Sequence, residues 1–197
     1  MKKSVKTLAL VTIICCLSQI GSAQFKLPIT SSVANDIKKI VDDYPDHFQH
    51  LKGDVITENA QSTDFHCKIE LKDAEESYIT RYSAKRENYS WQATFLSTDD
   101  FAKAKQKYHS LFNQLNNLSI NTGAGKANKL KGDFDVPEES KKFASSVLQL
   151  KDVNDEWAAL KVEVTMVLRA PMEWAVKVLI YGTERSDEER GSATENR

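Results

Sequence analysis

Cysteine is nearly absent. The chain has three in 197 residues, and two of them, Cys15 and Cys16, stand in an apolar N-terminal stretch. Only Cys67 lies beyond it, so no intramolecular disulfide can staple the fold, which must rest on apolar packing. Cys67 alternates with Phe65, Ile69 and Leu71, the pattern of a buried strand face, and there a cysteine serves as a small hydrophobe. An excess of positive charge is also lacking: 27 Lys and Arg face 28 Asp and Glu. The balance turns more acidic once Lys2, Lys3 and Lys6 are set aside. This excludes the electrostatic footprint of a protein for nucleic acid or anionic lipid. Past the N-terminus no apolar run reaches the roughly 20 residues a membrane-spanning helix needs.

Signatures of chemistry are missing too. No serine stands in a Gly-x-Ser-x-Gly elbow. Cys67 follows His66, but neighbours in a strand point to opposite faces and cannot act as a pair. Gly123, Ala124, Gly125 and Lys126 look like a phosphate-binding loop but fail the pattern: Ile120 stands where its first glycine belongs and Ala127 where its hydroxyl belongs. The acidic run of Asp73, Glu75 and Glu76 reads as a solvated turn. Four histidines are present. His66 and His109 have no evident partner. His47 and His50 are spaced to share a helical face, with Asp43 and Asp46 close in sequence, yet a pair without a third ligand at a recognisable spacing is a weak zinc pattern. The pattern specifies no cofactor and no active site, and the expectation is a protein that is not an enzyme. The competing expectation is a small metal-dependent hydrolase using Asp46, His47 and His50.

What the sequence does contain begins with an export signal. Lys2, Lys3 and Lys6 precede an apolar run from Leu8 to Leu17, and Gly21, Ser22 and Ala23 supply small residues for cleavage after Ala23. Residues 1–23 therefore read as a secretory signal peptide, and the mature protein is expected in the periplasm or the medium. Neither Cys15 nor Cys16 follows the small residue that a lipoprotein signal requires.

The second feature is self-similarity. A shift of 64 sets Asp36, Lys39, Tyr44, Phe48 and Leu51 on Asp100, Lys103, Tyr108, Phe112 and Leu115. A shift of 79 sets Leu51, Lys52, Gly53 and Asp54 on Leu130, Lys131, Gly132 and Asp133, and Tyr78 on Trp157. A shift of 83 sets Trp91 on Trp174. Growing offsets imply insertions in loops, the first around 116–129, whose Asn, Gly and Lys content predicts exposed coil. His47 and His50 fall opposite Leu111 and Gln114, so the histidine pair is no part of the repeat.

Each copy reads as a helix followed by antiparallel strands. Val33, Ile37, Ile40, Val41 and Tyr44 form one helical stripe, ended by Pro45. Phe101, Ala104, Tyr108, Leu111, Phe112 and Leu115 form another, with Thr98 as the expected N-cap. Period-two alternation marks strands through Phe65, Tyr89–Phe95, Leu160–Leu168 and Met172–Ile180, with shorter ones near 54–57, 77–82 and 145–150. Ala170 and Pro171 make the last long pair a hairpin. The fold class is α+β: two tandem helix-plus-antiparallel-meander repeats (30–97 and 98–183) in a single globular unit over 24–183, helices on one face of the sheet, then a charged disordered tail over 184–197. In arrangement it resembles the tandem helix-plus-sheet fold of secreted β-lactamase inhibitory proteins. That resemblance implies architecture and little function.

Trp91, Trp157 and Trp174, with Tyr78, Tyr82 and Tyr89, are expected mainly in the core. Val167, Ala175, Leu179 and Tyr181 have the outward parity of the second copy and make a candidate partner surface. The sequence thus points to an exported, non-catalytic binding module whose partner is an unidentified protein or envelope component, with no nucleic acid and no membrane span in the mature chain.

Overall fold

A computed structural model describes residues 32–83, 88–123, 127–153 and 155–182. The expected signal peptide over 1–23, most of the Gly123–Lys126 stretch and the expected tail over 184–197 lie outside the described residues. Helix α1 spans Ser32–Asp42, and Val33, Ile37, Ile40 and Val41 bury its apolar stripe. It ends two residues before the expected Tyr44. The Asp43 and Tyr44 amides bond three residues back, to Ile40 and Val41, which tightens the last turn ahead of Pro45. His47 and Phe48 then take positive φ, 54° and 57°, and turn the chain toward the sheet. The left-handed conformation is costly for residues with a Cβ; Phe48 is 0% exposed, and its burial offsets that cost.

Four strands follow in a meander: β1 (Lys52–Glu58), β2 (Ser62–Cys67), β3 (Glu76–Tyr82) and β4 (Asn88–Thr98). Each pairs antiparallel with the next. Helix α2 spans Phe101–Leu115. Its N-cap is Asp100 rather than the expected Thr98: the Asp100 carboxylate accepts the Lys103 amide at 3.1 Å. Thr98 is the last residue of β4, and its hydroxyl accepts the Asp100 amide at 3.2 Å. An extended residue two places earlier cannot reach the open amides of the first turn.

The region around 116–129 is not simply coil. It carries a small antiparallel hairpin, β5 (Ser119–Asn121) with β6 (Ala127–Lys129), because Ile120 is an apolar anchor with 0% exposure. Strand β7 (Phe143–Gln149), the single-turn α3 (Asp155–Ala158) and strands β8 (Lys161–Arg169) and β9 (Glu173–Tyr181) complete the chain. The hairpin between β8 and β9 forms as its turn residues predict, with a cis bond between Ala170 and Pro171.

Seven strands make one antiparallel sheet in the order β1-β2-β3-β4-β9-β8-β7. Its centre is the β4–β9 pair, the two strands richest in buried positions. Trp91, Ala93 and Phe95 of β4 and Trp174, Val176, Val178 and Ile180 of β9 share one core with the stripes of both helices. Helix α2 lies against β4, β8 and β9 and touches α1. The protein is therefore α+β, with the apolar side of a mostly antiparallel sheet turned to its helices. Among the described residues no helix is long and apolar enough to cross a membrane.

Candidate functional site

The other side of the sheet is set by strand parity. Ile79 pairs with Trp91 and Trp91 with Ile180, all on the core side. Their neighbours Tyr78, Thr80, Tyr82, Gln92 and Leu179 therefore point away from the helices. Tyr78 and Tyr82, expected in the core, belong to this outer face. The match of Tyr78 with Trp157 does not hold in three dimensions either, since Tyr78 stands in β3 and Trp157 in α3. Trp91, Trp157, Trp174 and Tyr89 are buried as expected.

Val167, Ala175, Leu179 and Tyr181 all have this outer parity, and Val167 is the direct neighbour of Ala175. Three of them are buried in this structure: Ala175 is 0% exposed, Tyr181 3% and Leu179 4%, while Val167 is half-buried. Next to Val167 across the β7–β8 ladder is Phe143, an aromatic ring 41% exposed. It closes a row of Phe143, Val167 and Ala175 along one end of the face.

Hydroxyl–carboxylate pairs hold the rest of the face in place. Glu163 is 2% exposed, and both its oxygens are bonded. Ser145 donates to Oε1 at 2.5 Å and Tyr181 to Oε2 at 2.8 Å. Thr80 donates to Asp64 at 2.7 Å, Thr94 donates to Glu76 at 2.9 Å, and the Tyr82 and Ser90 hydroxyls lie 3.2 Å apart. Burial, followed by the charges of Asp64 and Glu76, pushes the Tyr78 phenol up to about 12, so it remains a proton donor at neutral pH. The sequence carries the parity of Glu163, which lies between Val162 and Val164. It carries no sign that Ser145 and Tyr181 converge on that carboxylate from two other strands.

The turn after α1 gathers a second set of polar groups. Asp43 Oδ2 accepts the His50 amide at 3.2 Å, and Asp43 Oδ1 lies 2.5 Å from His50 Nδ1. Asp46 Oδ2 is 3.8 Å from the same nitrogen. The hydrogen bond to Asp43, and then its charge, raise the His50 imidazole above its ordinary value. His47 does not join this group; its ring stacks on Tyr89 at 5.6 Å. Of Asp46, His47 and His50, the fold brings together the first and last and adds Asp43, because the turn through His47 and Phe48 swings His47 outward. Cys67 ends β2 half-buried, opposite Lys52. His66 and His109 are exposed on β2 and α2.

No protein-family model, curated sequence or solved structure matches the chain. Its class is therefore defined by its own geometry: an α+β protein whose seven-stranded sheet has a helix-covered side and a polar, tyrosine-bearing side. The resemblance of arrangement noted in the sequence lends it no function.

Proposed function

We propose that the chain is an exported, non-catalytic binding module that holds a protein or envelope component on the sheet face opposite its helices. The observation that carries this is the composition and order of that face. Tyr78, Tyr82 and Phe143 offer aromatic surface of the kind that dominates recognition. The bonds of Thr80 to Asp64 and of Thr94 to Glu76 hold two carboxylates at the surface before any partner arrives, which lowers the entropy cost of association. Val167, Ala175, Leu179 and Tyr181 form the floor on which that surface stands. Export follows from the lysines, apolar run and small residues of 1–23.

The scaffold is proposed to descend from a duplicated helix-and-strands unit. Gly53 and Gly132 come from the two Leu-Lys-Gly-Asp segments, and each runs against the next strand: a Cβ on Gly53 would lie 3.0 Å from the His66 carbonyl oxygen, and one on Gly132 would collide with that of Val147. The bridge from Lys131 to Gln149 parallels the pairing of Lys52 with Cys67 at the opposite edge of the sheet. Trp91 and Trp174 stand in the adjacent central strands, both buried.

Capture from a native envelope fraction tests the proposed function. Immobilised protein should retain a discrete partner. Phe143→Ala and Tyr78→Ala should each reduce retention about tenfold, the effect of losing a recognition hot spot, and Lys105→Ala on α2 should leave it unchanged. Equal retention by all variants would overturn the assignment of the face, and a measured catalytic turnover would overturn the non-catalytic reading.

A further inference from the structure

We propose that Asp43, Asp46 and His50 form a binding site for a divalent transition-metal ion of the zinc type, with three protein ligands and the remaining position open to water. One donor atom from each residue lies within 4.8 Å of the other two. The Nδ1 of His50 is 2.5 Å from Asp43 Oδ1 and 3.8 Å from Asp46 Oδ2. Zinc bonds of about 2.0–2.2 Å in tetrahedral geometry place donors roughly 3.4 Å apart, a value these two separations bracket. The adjustment falls on solvent-facing groups: the His50 and Asp46 side chains are 72% and 63% exposed. Asp43, 10% exposed, is the fixed member, because its second oxygen is held by the His50 amide.

The donor chemistry also agrees. Two carboxylates and a neutral imidazole carry two negative charges, which a divalent cation neutralises, and imidazole with carboxylate suits zinc better than a soft monovalent ion. A cation bound at Nδ1 would replace the hydrogen-bond contact between His50 and Asp43; the neutral ring then carries its one proton on Nε2, and any second proton passes to solvent. The backbone turn at His47 and Phe48 is what returns His50 to the two aspartates. This site differs from the pair-based expectation by exchanging His47 for Asp43, and it stands whether or not the sheet face binds a partner.

Titration of Zn²⁺ into the purified protein at neutral pH, followed by calorimetry and by the NMR signals of the histidine rings, is the test. The expected result is one saturable site with the His50 ring shifting and the His66 and His109 rings still. His50→Ala and Asp46→Ala should each weaken binding by about tenfold or more, while His66→Gln binds as the wild type does. Absence of saturable binding up to millimolar Zn²⁺, or saturation that leaves the wild-type His50 ring unshifted, would overturn the proposal. The wild-type ring signals decide the matter even if a variant at His50 loosens the turn.

Discussion

At the scale of single residues, Glu163 shows how the outer face of the sheet is held. A carboxylate 2% exposed is costly unless bonded, and it has two hydroxyl donors, from Ser145 and Tyr181. Glu163→Ala would leave both hydroxyls without their acceptor, and urea unfolding should register a loss of about 2 kcal/mol. Tyr181→Phe removes one donor and should cost about half as much. Asp100 makes a different prediction, on pH. Its bond from the Lys103 amide lowers its carboxyl below the ordinary value. A depressed folded-state value contributes stability that is present above the unfolded carboxyl's titration and is lost as pH falls through the folded one. Thermal unfolding should therefore separate wild type from Asp100→Ala at neutral pH, and the gap should close in strong acid. A gap that persists unchanged would show that the carboxylate is not the cap.

At the scale of elements, burial rather than strand membership should decide cost. Leu111 is 0% exposed in the interior stripe of α2, and Val55 is 55% exposed on the edge strand β1. Leu111→Ala should destabilise by about 3 kcal/mol through lost transfer energy and the cavity left behind, and Val55→Ala by less than about 0.5 kcal/mol. Denaturation midpoints at constant m-value would check both.

The elements differ in how far the sequence disclosed them, for physical reasons. Periodicity suffices for α2 and for the β8–β9 hairpin, since each has one wet and one dry side. It fails where distant chain decides. Tyr44 and Phe48 continue the first stripe by spacing, as Tyr108 and Phe112 do in α2, but Pro45 stands where α2 has His109, so the first helix stops and the chain turns. Tyr78 follows the same rule. An aromatic residue in an alternating segment suggests core, and only the pairing of Ile79 with Trp91 reveals the parity of β3. Of the candidate surface, the shared parity of Val167, Ala175, Leu179 and Tyr181 is legible, because period two is local. Their shallow exposure and the neighbour Phe143 are not, because both depend on which strands lie alongside.

At the scale of the whole molecule, the strand order binds the two halves together. β4 closes the first half and β9 the second, and their ladder runs from Ser90–Tyr181 to Thr98–Trp174 at the middle of the sheet. Cutting between the halves would open this ladder and expose Trp91 and Trp174, which are 0% and 4% exposed in the intact chain. Fragments 32–98 and 99–182 should each lack cooperative unfolding alone and regain it when mixed. Independent folding of either fragment would mean that the shared core contributes less than the geometry requires.

The proposed binding function depends on the sheet face opposite the helices being the one that meets a partner. A photo-activated cross-linking residue at Gln92, on the outer face, should give one discrete adduct with a protein or envelope component in the native host, and the same residue at Lys105 on α2 should give none. Adducts formed equally from both positions, or from Lys105 alone, would contradict it.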